Sequence, residues 1–121
     1  MRKILVIEDD VFLQSLEVNK LKKDNYEVIT ASTGDEALEK IKEPDIDLIL
    51  LDLMLPGVNG FDILKELKET EELKNIPVIV FSNLSEEKDM KKAKELGAVE
   101  FMVKSNFSLS ELLEHINKIL S

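Results

Sequence analysis

Two apolar runs that both end in carboxylates constrain this chain more than any other feature. Lys3-Ile4-Leu5-Val6-Ile7 runs into Glu8, Asp9 and Asp10, and Asp47-Leu48-Ile49-Leu50-Leu51 runs into Asp52. Runs this apolar, with no polar alternation, suit strands buried on both faces, and such strands occur in parallel sheets covered by helices. Two central strands of that kind deliver their acids to one edge of the sheet. The expected result is an anionic pocket at the carboxyl ends of the strands.

The rest of the chain alternates in the same way. Strands are expected at 3–7, 27–30, 47–51, 77–81 and 99–103, and helices at about 11–23, 34–42, 59–69, 85–96 and 109–120. Five strands alternating with five helices imply right-handed crossovers and a parallel sheet. The order 2-1-3-4-5 is the expected one, although alternation by itself does not fix it. Glu27-Val28-Ile29-Thr30 is short and polar enough for an edge. Thr33 to Glu36 and Ser108 to Glu111 fit the capping box, in which a hydroxyl and a carboxylate satisfy free amides at a helix start. Ser85, followed by Glu86 and Glu87, is expected to cap the fourth helix, and Asp10 the first. Gly97 stands where a left-handed C-cap belongs. Leu109, Leu112, Leu113, Ile116 and Leu120 form a core stripe on the last helix.

Length and charge limit the function classes. The 121 residues suggest one domain over 1–121. The 25 acids against 16 basic residues give a net charge of −9, which argues against direct nucleic-acid binding through phosphate neutralisation. There is no cysteine, so disulfides and thiolate metal sites are excluded. No apolar stretch approaches the ~20 residues of a membrane span. The first strand begins at once, leaving no room for a signal peptide, so a cytoplasmic protein is expected.

In an open α/β sheet, ligands bind beyond the carboxyl ends of the strands, where the strand order reverses. Glu8 and Asp9, Asp52, Ser82 and Lys104 all fall at strand ends on that edge. Two carboxylates ~4 Å apart repel by about 4 kcal/mol at an effective dielectric of 20. One lysine does not balance three of them. A divalent cation does, and an all-oxygen ligand set suits Mg²⁺ better than Zn²⁺. Asp52 could then attack phosphorus as a nucleophile to give an aspartyl phosphate, with the cation and Lys104 neutralising the transferred oxygens and Ser82 donating a hydrogen bond. Ser82 itself has no base to activate it, since the only histidine, His115, lies on the last helix and is expected at the surface.

These residues carry a family resemblance. Over its whole length the chain resembles a receiver domain of the bacterial two-component response regulators. Ile4-Leu5-Val6-Ile7-Glu8-Asp9-Asp10 is similar to the family's metal-binding segment, and Leu51-Asp52-Leu53-Met54-Leu55-Pro56-Gly57 to the segment around its phosphoacceptor. The resemblance implies a flavodoxin-like, doubly wound (βα)5 fold. It implies Asp52 as phosphoacceptor, and Glu8, Asp9, Asp52 and the main-chain carbonyl of Met54 as Mg²⁺ ligands. Ser82, Lys104 and a switch aromatic at Phe101 complete the set. It further implies a phosphorylation-activated switch rather than an enzyme with an outside substrate. The donor would be a histidine kinase or histidine phosphotransfer protein. The face formed by helix 4, strand 5 and helix 5 would be read by an unknown downstream protein, in a stand-alone regulator or as part of a longer chain.

The chain departs from the family pattern in one segment of the site. The lysine is usually followed by proline and phenylalanine, whereas Ser105 and Asn106 stand between Lys104 and Phe107. A trans bond or a rearranged loop is expected, and Lys104 is the group whose position it bears on. Two other readings compete: a receiver-fold interaction module without phosphorylation, favoured if that loop misplaces Lys104, and a phosphoaspartyl hydrolase. The hydrolase reading wants a second aspartate two residues after the nucleophile, where Met54 stands.

Overall fold

A computed structural model describes all residues, 1–121. Five strands, β1 (Lys3–Ile7), β2 (Glu27–Ala31), β3 (Leu48–Leu51), β4 (Val78–Ser82) and β5 (Glu100–Val103), form one parallel sheet in the order β2-β1-β3-β4-β5. The helices are α1 (Val11–Lys23), α2 (Gly34–Lys40), α3 (Gly60–Glu69), α4 (Glu87–Glu95) and α5 (Leu109–Leu120). The expected fold class and strand order are therefore observed, and β2 lies at an edge. No helix is long and apolar enough to cross a membrane.

Alternation of side chains across the sheet splits the core in two. Leu5, Ile7, Ile49, Leu51, Val78 and Val80 face one way, onto Ile63, Leu64 and Leu67 of α3 and Ala93 of α4. Ile4, Val6, Leu48, Leu50, Ile79 and Phe81 face the other way, onto Leu21 of α1 and Leu112, Ile116 and Leu120 of α5. Burying each large aliphatic side chain stabilises by about 1.5–3 kcal/mol, so both layers pin the strands and fix where their ends project.

Helix starts follow the sequence with two corrections. Asp10 Oδ1 accepts from the Leu13 amide at 3.0 Å, and Ser108 with Glu111 makes the full capping box. Gly97 takes φ +104° after Leu96, as a left-handed C-cap requires. At α2, Thr33 caps the Glu36 amide, but the Glu36 carboxylate accepts from Ser32 rather than Thr33, so the box is half formed. At α4, Ser85 is not the cap. The helix begins at Glu87 after Glu86, with no side-chain cap bond. Leu84 packs partly buried against the α3–α4 core, and Glu86, two residues on, is still extended.

Gly60, the first residue of α3, sits hard against the strand that carries Asp52. A Cβ there would lie 2.4 Å from Leu53 Cα and 2.8 Å from the Asp52 carbonyl oxygen. The close approach lets the Gly60 amide donate to the Leu53 carbonyl at 3.0 Å. Because the obstacle is backbone, Gly60→Ala is expected to cost about 1–3 kcal/mol in urea denaturation. An unchanged midpoint would show that the α3 start can back away freely.

Candidate functional site

The strand ends bring the expected groups together. Glu8 follows β1, Asp52 follows β3, Ser82 ends β4 and Lys104 follows β5. Glu8, Asp52 and Ser82 are buried, and Asp9 is exposed at the rim. Both Asp52 oxygens are engaged. Oδ1 accepts from Ser82 Oγ at 2.9 Å and from the Met54 amide at 3.0 Å, while Oδ2 faces Lys104 Nζ at 2.6 Å. Lys104 also reaches Glu8 Oε1 at 2.7 Å, and the other Glu8 oxygen accepts from the Asp10 amide at 3.1 Å.

The longer loop does not take Lys104 out of the site. Lys104–Asn106 form a single 3₁₀ turn with no cis peptide bond. The turn leaves Ser105 and Asn106 exposed and returns Phe107 to the Leu112 side of the core. The extra residue is absorbed in solvent, and the ammonium stays on Asp52.

Electrostatics follow from burial. Burial raises the Glu8 carboxyl above its ordinary value, against the lowering effect of the Lys104 hydrogen bond. Burial alone would lower the Lys104 ammonium, yet its hydrogen bonds to Asp52 and Glu8 leave it raised. One ammonium thus faces three acids. Carboxylate oxygens of Glu8, Asp9 and Asp52 all lie within 4.8 Å of one another. This is an all-oxygen cluster with surplus negative charge, which fits a hard divalent cation and lacks the nitrogen or sulfur donors that zinc favours.

The family model of the response regulator receiver domain matches residues 4–117. The chain belongs to this family. The receiver domain is 34% identical to the phosphate regulon transcriptional regulatory protein PhoB of Escherichia coli, over 98% of this chain and 52% of that protein. It is 37% identical to the alkaline phosphatase synthesis transcriptional regulatory protein PhoP of Bacillus subtilis, over 98% of this chain and 48% of that protein. The chain therefore spans about half the length of these curated relatives. Among solved structures it resembles the chemotaxis response regulator CheY4 of Vibrio cholerae, with a TM-score of 0.90 and 27% identity over 98% of each chain. Receiver domains act in two-component systems and bind Mg²⁺ at an acidic pocket, and this receiver carries such a cluster in Glu8, Asp9 and Asp52.

The remaining expected residues fall as follows. Phe101 is buried in the α3–α4 core, which Leu84 and Met90 also border. The Met54 side chain is exposed. His115 is half-exposed and not solitary: Nδ1 meets Glu100, and the ring meets Phe107 edge-on.

Two residues of α1 escaped sequence reasoning. The Gln14 amide nitrogen donates to the Glu8 carbonyl at 2.9 Å and lies 3.1 Å from Ser32 Oγ, tying the acidic loop to the β2–α2 loop. Glu17 is 2% exposed, and one of its oxygens has no hydrogen-bond partner. The signal was present: Leu13, Glu17 and Leu21 repeat every four residues, which places all three on one helix face.

Proposed function

We propose that the receiver domain is a phosphorylation-activated switch in which Asp52 is the phosphoacceptor. The observation that carries this reading is the convergence of Ser82 Oγ and Lys104 Nζ on the two oxygens of one buried carboxylate, beside two further acids. Mg²⁺ held by Glu8, Asp9, Asp52 and the Met54 main-chain carbonyl would supply positive charge to the phosphoryl oxygens. Lys104 holds the second positive charge against the same oxygens, Ser82 donates a hydrogen bond, and the Met54 amide orients the Asp52 carboxylate. Catalysis by the chain is positioning and charge stabilisation of its own modification, not turnover of an outside substrate. Incubation with acetyl phosphate and Mg²⁺ followed by intact-mass measurement should give one hydroxylamine-labile phosphoryl adduct. No adduct at saturating donor would remove the reading.

The reading extends to output and donor. Ser82 already points at Asp52 and Phe101 is already buried, so a phosphoryl group would hold this arrangement through Leu84, two residues beyond Ser82. The face of α4, β5 and α5 would then present the signal to a downstream protein, a local charge event biasing a two-state element. The donor is a histidine kinase or histidine phosphotransfer protein. Val11 and Phe12, 74% and 75% exposed, and Leu16 make an apolar surface on α1 beside the mouth of the pocket, suited to a donor helix bearing phosphohistidine. Phe12→Ser should slow transfer from a phosphorylated protein donor roughly tenfold, the equivalent of ~1.4 kcal/mol, and leave the rate from acetyl phosphate unchanged. Equal slowing with both donors would place Phe12 in the fold instead.

A further inference from the structure

Glu17 is the group in this molecule for which neither the fold nor the proposed phosphoryl chemistry accounts. It projects from α1 into a small cavity between α1 and α5, lined by Glu17, Lys20, Leu21, Leu109, Leu112 and Leu113. Its Oε1 is fully enclosed without a hydrogen-bond partner. The nearest candidate partner is turned away: Lys20, one helical turn on, donates to Ser110 Oγ at 2.9 Å. An unpaired carboxylate in such surroundings is expensive, so the neutral acid is the form that suits the cavity.

The charges facing Glu17 come mostly from the acidic site. Burial first, then the negative charge of Glu8, with smaller contributions from Asp52 and Asp10, together raise its carboxyl to about 8. Lys104 acts the other way. Lys20 is the remaining charge at the cavity, and α5 contributes only leucines to its lining. Geometry supplies the link: Gln14, three residues before Glu17 on α1, donates to the Glu8 carbonyl at 2.9 Å. Glu17 thus stands one helical turn from a residue bound to the acidic loop, and part of the field that keeps it protonated is that of the site Mg²⁺ would neutralise.

We propose that Glu17 is a proton reservoir linked to the acidic site: loading the pocket of Glu8, Asp9 and Asp52 with a divalent cation releases the Glu17 carboxyl proton to solvent. The inference rests on the reading of that pocket as a cation site. The step balances as carboxylic acid to carboxylate plus a proton taken up by buffer. Linkage makes it reciprocal, so ionised Glu17 strengthens cation binding by the same factor by which the cation favours its ionisation. Lys20 is placed to leave Ser110 and pair with the new carboxylate, since residues three apart are neighbours on a helix. The receiver's affinity for Mg²⁺ then rises with pH through the range where Glu17 titrates, and the α1–α5 seam registers whether the site is filled.

The test is calorimetric titration of MgCl₂ into the full chain near neutral pH, in two buffers of different ionisation enthalpy. Glu17→Gln serves as comparison because it keeps the shape of the neutral acid. The wild-type heat should change with buffer, reporting up to about one proton per ion, and that change should shrink in Glu17→Gln. The wild-type Glu17 carboxyl carbon resonance, followed with pH, should move its midpoint downward when MgCl₂ is added. Mg²⁺ binding with the same buffer dependence in both proteins and an unmoved midpoint would overturn this inference alone. No Mg²⁺ binding by either protein would overturn the cation site, and the inference with it.

Discussion

Asp52→Asn will abolish the phosphoryl adduct while leaving the melting temperature unchanged or higher. The amide oxygen replacing Oδ1 can still accept from Ser82 and the Met54 amide, which sit at 2.9 Å and 3.0 Å in the wild type. Lys104 keeps its second partner, Glu8, at 2.7 Å. Removing one of the crowded acids relieves a repulsion of about 4 kcal/mol per close pair at an effective dielectric of 20, which offsets the lost Lys104 contact. The neutral amide oxygen is far too weak a nucleophile toward phosphorus to replace a carboxylate, so the loss should be complete by intact mass. Thermal melting and mass spectrometry on the same sample separate the two statements. A folded variant that still gains a single labile adduct would place the acceptor elsewhere, and a strong drop in melting temperature would contradict the view of this cluster as charge-crowded.

The second large effect is on stability against pH. The Glu17 carboxyl is raised from an ordinary value near 4.5 to about 8. Between those values the folded chain holds a proton that the unfolded chain has released. The contribution of this group to stability is therefore complete below about pH 4.5, declines as pH rises, and is lost above about pH 8. The slope is about 1.4 kcal/mol per pH unit, which accumulates to several kcal/mol across the window. Glu17→Gln does not titrate, so its stability advantage over wild type should widen steadily from about pH 5 to about pH 8 and then level off. Urea denaturation at stepped pH measures this directly. A gap that stays constant over the window would show that Glu17 is solvated or paired and keeps an ordinary carboxyl.

The acidic site was legible because of where its residues stand in the chain. Glu8 and Asp52 each follow a strand too apolar to be anything but central, and parallel strands send their carboxyl ends to one edge. Ser82 and Lys104 were legible by the same logic. The position of Lys104 was not, since an extra residue in a loop can move a side chain either way. The 3₁₀ turn over Lys104–Asn106 decided it by placing Ser105 and Asn106 in solvent. The start of α4 was misjudged because Ser85 has the right chemistry for a cap, but the residue that enters the helix from extended backbone is Glu86.

From sequence alone came the (βα)5 order, the sheet edge where the acids gather, and the family. The order of elements and the edge depend on local periodicity and on which residues end each strand, and the family on the resemblance of the segments around Glu8, Asp9 and Asp52. Tertiary structure alone decided that both Asp52 oxygens are engaged, that Lys104 bridges two acids, and that Glu17 is sealed between α1 and α5 without a partner. Those are distances and solvent exclusion between segments far apart in the chain. They arise only when helices and strands close on one another, because burial, not residue identity, sets what a carboxylate costs and where its proton goes.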